Sequence, residues 1–240
     1  MIYIKSISIS VFFPTYNDAA TIPKLVEDSI KTLKNITNDY EIIIVNDGSR
    51  DNIAAVAEKL SKKYKNVRII NHKTNMGYGA ALKTGFKSSA KDFIFYTDGD
   101  AQYDVKELKK LVDNLDDADL VNGYKIRRSD SLYRIILGRL YHWAAKLLFN
   151  IKIRDIDCDF RLMRRTIFDM VSLESDSGVI CVEMIRKIQK AGFKIVEVPV
   201  HHYPRISGQS QFFKVKRLIQ VFEGLLRQWW KLMVLDKFRK

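Results

Sequence analysis

An α/β fold, with a mostly parallel sheet and helices on both of its faces, is predicted by three features of this chain. Short apolar runs rich in β-branched and aromatic residues alternate with helical periodicities through the first half. Each run is closed at its C-terminal end by polar turn residues, and acidic residues gather in those closing segments. Strands covered on both faces read as continuous apolar runs. Open α/β sheets take their ligands at the carboxyl ends of the strands, where these acids fall.

Ile7–Phe13 reads as the first strand and runs into Pro14-Thr15-Tyr16-Asn17-Asp18. Thr21 is placed to cap a helix that has Pro23 in its first turn and continues to Asn35. Glu41–Val45 is the second strand, closed by Asn46-Asp47-Gly48-Ser49, and Ile53, Val56, Ala57 and Leu60 space a helix over Asp51–Lys63. A short strand at Val67–Asn71 leads through Asn75-Met76-Gly77-Tyr78-Gly79 into a helix over Ala80–Ala90. The spacing of Gly77, Gly79 and Gly85 does not match a dinucleotide fingerprint, and the glycines do not directly follow the first strand. These glycines suit a tight helix entry, with a backbone approach to a nucleotide as the alternative. Phe93–Thr97, a helix over Val105–Leu115, the strand Leu120–Gly123 and a later strand at Lys194–Val200 complete the pattern.

With 240 residues, 47% of them hydrophobic, the chain can bury the core of one domain, or of one domain with an appendage. That composition excludes a disordered protein. Cys158 and Cys181 make neither a disulfide framework nor a spaced ligand set and read as buried thiols of a reducing compartment. The N-terminus enters a strand without a signal-peptide pattern, so a cytoplasmic location is expected. A net charge of +13, from 41 Lys and Arg against 28 Asp and Glu, calls for a polyanionic partner. Its basic residues crowd into Tyr124–Arg165 and Phe212–Lys240, which suggests a basic face.

Asp98-Gly99-Asp100, with Gln102 two positions on, sets two carboxylates and an amide oxygen just past the Phe93–Thr97 strand. A hard divalent cation shared with substrate phosphates favours such oxygen ligands. A plain Asp-Gly turn is the alternative.

Taken together and in order, Pro14-Thr15-Tyr16-Asn17-Asp18, Val45-Asn46-Asp47-Gly48-Ser49, Asn75-Met76-Gly77-Tyr78-Gly79, Asp98-Gly99-Asp100-Ala101-Gln102 and Phe160-Arg161-Leu162 resemble the inverting family 2 glycosyltransferases. The nearest resemblance is to the dolichol or polyprenol phosphate mannose synthase branch, over about Ile7 to Gln211. The resemblance implies a GT-A, Rossmann-like fold, with residues 1–211 as the catalytic domain and 212–240 as a basic amphipathic helical extension.

It also implies roles. Pro14, Tyr16, Asp18 and Asp47 would hold the donor's base and ribose, an ionised Asp47 being able to accept from a ring N–H of uracil or guanine. Asp18 stands where the mannose synthases usually have Glu, and Asn46 replaces a frequent acid. Asp98, Asp100 and Gln102 would surround Mg2+ or Mn2+, and Gly99 would let the sugar nucleotide come close. Asp155 or Asp157 would contact sugar hydroxyls or position the acceptor, while Arg164 and Arg165 read as surface pairing partners. Arg205 matches a phosphate-binding Arg of a loop that closes over the donor. Gln211 stands where a Lys is frequent, with Lys214 nearby as a substitute. His201 and His202, without a third ligand, read as loop residues rather than a metal site.

A polyprenyl or dolichyl phosphate acceptor is already anionic and needs no strong base, so positioning dominates. Lys125, Arg128 and Arg134 are the candidates for holding its phosphate. A glycan or lipid hydroxyl acceptor would instead need a carboxylate base, for which Asp155 and Asp157 are nearest by motif. The expected catalytic set is therefore Asp100, Arg205, Asp155 and Asp157. Mannose, glucose and N-acetylglucosamine stay open, as do GDP and UDP. A non-enzymatic basic module for membrane or nucleic acid would leave the ordered acidic loops unexplained, and nucleic acid is not an expected partner.

From Phe212 onward, Val215, Leu218, Ile219, Phe222, Leu225, Leu226, Trp229, Leu232 and Met233 recur at helical spacing among Lys and Arg. Such a helix lies at a membrane interface or packs on the catalytic domain. Ser131–Phe149 is a less regular second candidate. No segment reaches the roughly 20 apolar residues of a membrane span, so peripheral attachment on the cytoplasmic face is expected. A membrane-anchoring partner or self-association is left open.

Overall fold

The computed structural model describes residues 7–126, 132–205 and 215–235. Among the described residues, seven strands form one sheet of order β3-β2-β1-β4-β6-β5-β7: β1 Ser8–Thr15, β2 Asp39–Asn46, β3 Val67–Asn71, β4 Phe93–Thr97, β5 Leu120–Lys125, β6 Phe160–Arg164 and β7 Ile195–Val200. All pairings are parallel except those of β6, which runs antiparallel to both β4 and β5. The mostly parallel sheet expected from the sequence is what forms. The antiparallel insertion of β6 was not among the expectations, because Phe160–Arg164 is followed and preceded by charged residues that blur its apolar signal.

The helices are α1 Ile22–Lys34, α2 Ile53–Lys63, α3 Tyr78–Ser88, α4 Leu108–Val112, α5 Leu132–Phe149, α6 Ile167–Met170, α7 Ile180–Lys190 and α8 Val215–Trp229, the last continued by a π-helical turn at Trp230–Val234. They bury their apolar stripes in two clusters, one on each face of the sheet. Val11 and Phe13 of β1 meet Leu25 and Val26 of α1, Ala57 and Leu60 of α2 and Leu111 of α4. Phe12, pointing the other way, meets Leu82 and Phe86 of α3, while Phe149 of α5, Ile185 of α7 and Leu225 of α8 join that second cluster. This alternation along a strand with both faces buried accounts for the unbroken apolar reading of β1.

Several boundaries differ from the sequence expectation. The stretch expected as one helix over Val105–Leu115 is α4 between two short 3₁₀ turns, Val105–Glu107 and Leu115–Asp117. The Asp104 side chain accepts from Lys106 N at 3.0 Å, and Asn114 donates back to the Lys110 carbonyl at 2.8 Å, so polar side chains satisfy backbone groups that a longer helix would have used. Thr21 does occupy the N-cap of α1, yet its hydroxyl makes no cap bond. It donates to the carbonyls of Asp18 at 2.9 Å and Gly99 at 2.6 Å, tying the β1 and β4 loops together.

The chain runs outward from β1 through β2 to β3 and returns to β4 on the other side of β1. The crevice where strand order reverses therefore opens between the β1 and β4 loops, the position at which open α/β sheets bind ligands. Close contact fixes this region from below. A Cβ on Gly85 of α3 would lie 2.3 Å from the Phe12 ring, and that ring stacks on Tyr96 of β4 with centroids 5.3 Å apart. Gly85→Val should therefore lower the unfolding free energy by about 1–3 kcal/mol through overpacking, read as a lower denaturant midpoint. An unchanged midpoint would contradict this packing.

Candidate functional site

The Asp98-Gly99-Asp100 loop leaves β4 and folds onto the β1 loop, with Gly99 N donating to the Pro14 carbonyl at 3.2 Å. A Cβ at Gly99 would lie 2.7 Å from Thr15 Cγ2 and 3.3 Å from Asp18 Oδ2. Only a glycine allows that approach, which brings Asp18 beside the pair of acids. Ala101, at φ 57, turns the chain through the left-handed region immediately after Asp100.

These carboxylates share little positive charge. Asp98 accepts from the Tyr78 hydroxyl at 2.8 Å. Burial, then the charges of Asp159 and Asp100, hold its carboxyl well above the ordinary carboxylate range. Asp100 is 4% exposed and accepts from Gln102 N at 3.1 Å. Burial raises its pKa, against the opposing pull of Arg205, whose Nη2 lies 2.5 Å from Asp100 Oδ2. Asp18, which accepts from Tyr16 N at 2.9 Å, is pushed up to about 6, first by burial and then by Asp100.

Arg205 reaches Asp100 because the segment after β7 pairs with the residues after Asp100. Tyr203 N donates to the Gln102 carbonyl at 2.8 Å, Gln102 Nε2 donates back to the Tyr203 carbonyl at 3.0 Å, and Tyr103 and His202 form a β-bridge. His201 is a hydrogen-bond partner of Glu107, at 2.6 Å through Nδ1. Gln211 and Lys214 lie outside the described residues.

Asp47, 3% exposed at the end of β2, accepts from Met76 N at 2.8 Å, Gly77 N at 2.9 Å and His72 Nδ1 at 2.8 Å. It thereby shapes the segment that enters α3. Gly77 takes φ 102 at the N-cap of α3. Gly79 N donates to the Asp176 carbonyl at 2.9 Å, and an added Cβ there would lie 2.3 Å from the Ser175 carbonyl. In the structure the close backbone approach of these glycines is to the 175–176 segment. Tyr16 is half-buried and Pro14 buried beside this crevice.

The sequence reading passed over Asp159. The antiparallel register pairs Thr97 with Phe160, so the next residues out, Asp98 and Asp159, face each other across the β4–β6 edge. Tyr96 donates to Asp159 Oδ1 at 3.4 Å, and Arg161 Nη1 lies 3.6 Å from it. Arg161 is wholly buried and donates to Asn122 Oδ1 at 2.7 Å, to the Tyr96 hydroxyl and to the Ile156 carbonyl. Recognising Phe160–Arg164 as a strand antiparallel to β4 would have found this residue.

Asp155 and Asp157 form a separate group with Lys125 and His142. Asp155, 6% exposed, accepts from Lys125 N at 3.2 Å and Asp157 N at 3.1 Å. The Lys125 ammonium sits 3.7 Å from Asp155 Oδ2 and donates to the Asp157 carbonyl at 2.6 Å. Ligand atoms of His142, Asp155 and Asp157 lie within 4.8 Å of one another, so this trio has metal-ligand spacing too. Arg128 lies outside the described residues, as does the side chain of Arg134 in α5. Arg164 pairs with Asp119 at 3.5 Å, on the surface.

The family model for glycosyl transferase family 2 matches residues 10–171, and the chain belongs to that family. Glycosyltransferase AglD of Haloferax volcanii is 27% identical over 238 residues, covering 95% of this chain and 38% of that protein. An undecaprenyl-phosphate 4-deoxy-4-formamido-L-arabinose transferase of Pseudomonas fluorescens is 31% identical over 223 residues, covering 91% of this chain and 63% of that protein. The chain thus spans less than two thirds of the length of either relative. Among solved structures, glucosyl-3-phosphoglycerate synthase of Mycobacterium tuberculosis in complex with Mn2+, UDP-glucose and phosphoglyceric acid shares the fold at TM-score 0.72, with 16% identity over 93% of this chain and 80% of that one. Its complex with Mn2+, UDP and glucosyl-3-phosphoglycerate gives 0.68, with 16% identity over 95% and 79%.

Asp98 and Asp100, with Asp18 and Asp159 close by and Arg205 as the cation on Asp100, are an oxygen-rich, electron-rich set that fits a hard divalent ion. A carboxyl whose folded pKa is raised stabilises the fold when protonated, so that stability fades as pH rises through about 6 for Asp18. Mn2+ binds the ionised forms. The gain in thermal midpoint on adding Mn2+ should therefore be larger at pH 7.5 than at pH 5.5, and should shrink in Asp98→Asn. An equal gain at both pH values would contradict this assignment.

Proposed function

We propose that this family 2 enzyme moves a hexose from a nucleoside diphosphate sugar to a polyprenyl or dolichyl phosphate with inversion at the anomeric carbon. The observation that carries the reading is the crevice at the sheet's switch point, where the Asp98–Asp100 loop meets Arg205 from the far end of the domain. Pro14, Tyr16, Asp18 and Asp47 would hold the base and ribose, with Asp47 shaping the segment that enters α3. A divalent ion held by Asp98, Asp100 and Gln102 supplies charge neutralisation at the donor diphosphate. Arg205 adds a guanidinium beside the same group, able to pass from Asp100 to a phosphate oxygen when the donor is bound.

The acceptor reading rests on Lys125, with Arg128 and Arg134, and on the named activity of the Pseudomonas relative. An anionic acceptor needs no base, which agrees with Asp155 being engaged by two backbone N–H groups and next to an ammonium. The alternative, a hydroxyl acceptor with Asp155 or Asp157 as base, would have to disengage those bonds.

Peripheral attachment to the cytoplasmic face of a membrane goes with this acceptor. No helix among the described residues is long and apolar enough to cross one. Leu140, Trp143 and Leu147 of α5 are exposed, as are Phe222 and Leu226 of α8 and Trp230 just after it. Trp at such positions suits the headgroup boundary, and the surrounding Lys and Arg suit anionic lipids. In this reading residues 1–211 carry the transfer chemistry, and 212–240 join α5 in the membrane contact.

Labelled sugar from a panel of GDP and UDP sugars should appear on a short polyprenyl phosphate with Mn2+ and not with chelator. Asp100→Asn should lower that rate on the order of 10²-fold or more while the circular dichroism spectrum is kept. Transfer to hydroxyl acceptors alone would replace this reading with the alternative. Separately, Trp143→Glu with Leu147→Glu should reduce cosedimentation with anionic liposomes, and unchanged cosedimentation would remove α5 from the membrane face.

A further inference from the structure

Asp98 and Asp100 follow the same strand but are held by different means. Asp100 accepts from Gln102 N, two residues along its own loop, and pairs with Arg205. Asp18 likewise accepts from a nearby backbone donor, Tyr16 N. Asp98 has no such local support. Among the described residues its carboxylate forms no ion pair, and its hydrogen bond comes from a side chain of another element, the Tyr78 hydroxyl, which donates to Oδ1 at 2.8 Å. Yet Asp98 faces the charges of both Asp159 and Asp100. The carboxylate with the most repulsion to withstand is thus oriented through one phenol.

That phenol is itself well fixed. Tyr78 is the first residue of α3, and the backbone is anchored on either side of it. Gly77 N donates to Asp47 Oδ2 at 2.9 Å, and Gly79 N donates to the Asp176 carbonyl at 2.9 Å. The Tyr78 ring packs against the second core cluster, beside Leu82 and Phe86 of the same helix in that cluster. Anchored backbone and packed ring leave the hydroxyl little freedom to follow a wandering carboxylate.

A phenol has one proton to give and keeps it at neutral pH. Given to Oδ1, that proton sets the plane of the Asp98 carboxylate and leaves Oδ2, which accepts no hydrogen bond among the described residues. Carboxylates that ligate a metal are commonly oriented in this way from outside the ligand set, and losing the outer partner costs roughly 10–100-fold in metal affinity.

We infer that Tyr78 is a positioning residue of the divalent-ion site, acting on the ion through Asp98. This role rests on Asp98 being a ligand of that ion. It also gives α3 a second connection to the crevice: Gly77 supports Asp47 while the next residue, Tyr78, supports Asp98.

The test is calorimetric titration of the full chain with Mn2+ alone, comparing the unsubstituted protein with Tyr78→Phe, Tyr78→Leu, Asp98→Asn and the double variant Tyr78→Phe/Asp98→Asn. Tyr78→Phe keeps the ring and removes the hydroxyl, so it should weaken Mn2+ binding on the order of tenfold or more while the circular dichroism spectrum is kept. Tyr78→Leu removes the ring as well. It should lower the ion-free thermal midpoint further, with a loss of Mn2+ affinity close to that of Tyr78→Phe. Once Asp98 is already Asn, Tyr78→Phe should change the remaining affinity by less than about twofold, because the group it acts through is gone. Mn2+ affinity unmoved in Tyr78→Phe, a loss confined to Tyr78→Leu, or the full loss repeated in the Asp98→Asn background would each overturn the inference. Unchanged binding in Asp98→Asn would remove the metal assignment and this role with it. A loss in Asp98→Asn with none in Tyr78→Phe would remove the role of Tyr78 and leave the metal assignment standing.

Discussion

The constraint on which the rest of the site depends is the crowding of carboxylates at one end of β4. Asp98 and Asp100 are two residues apart, Asp18 is brought in by the contact of Gly99 with the β1 loop, and Asp159 arrives opposite Asp98 by strand register. Two unit charges 4 Å apart in a region of effective dielectric near 20 repel by about 4 kcal/mol. Burial first, and the neighbouring carboxylates after it, raise the pKa values of Asp18, Asp98 and Asp100. Such a cluster survives because its members are held by strands and backbone bonds that cannot relax apart, and because the fold as a whole outweighs the local repulsion. In the proposed reading that cost is recovered when a counter-cation and a donor diphosphate enter, as a binding site rather than a merely acidic turn would allow.

Two arginines manage this charge in different ways. Arg161 is part of the fold, joining β4 through the Tyr96 hydroxyl, β5 through Asn122 and the preceding turn through the Ile156 carbonyl. Its donors are largely satisfied by neutral acceptors, so its positive charge remains available to Asp159 at 3.6 Å. Arg205, by contrast, has its side chain 30% exposed and stands on a segment tied to the Asp98–Asp100 loop through Tyr203 and Gln102. A buried guanidinium fixes geometry, and a half-exposed one on a connecting segment can exchange partners.

The strands and helices of the first half were legible because their apolar periodicity is unmixed. β1, β4 and the C-terminal half of β2 are buried on both faces, the edge strand β3 is partly covered, and their closing residues are the polar loops read from the sequence. Where polar side chains compete for backbone bonds, as Asp104 and Asn114 do around α4, the periodic pattern overstated the helix. β6 was missed as a strand for a related reason: its place in the sheet depends on β4 and β5, far away in sequence, and its one long polar residue, Arg161, is buried only because the fold supplies partners for it. Asp159 was lost with it, since strand register and not sequence spacing sets it against Asp98. Asp47 was read as a donor contact, but sequence could not show that three donors from residues 72–77 converge on it, because those partners lie across a loop.

The described part of α8 is built into the body that carries the site. Leu225, and Leu232 in the turn beyond it, enter the second core cluster, while Gln228 donates to Glu183 at 3.3 Å and Lys231 pairs with Glu174. Glu183, with no exposed surface, in turn accepts from Glu174 N at 3.0 Å and Ser175 N at 2.9 Å, holding the 174–176 segment against the Gly77 and Gly79 backbone. Gly77 N is one of the donors to Asp47. A contiguous set of hydrogen bonds and packed atoms therefore joins the helix that bears Phe222 and Leu226 to the loop beside the carboxylate crevice. An apolar face fixed to the core in this way has a set orientation relative to the crevice. A membrane bound to that face would then dictate the side from which a lipid-borne acceptor approaches, and steric direction of that kind needs no conformational change in the protein.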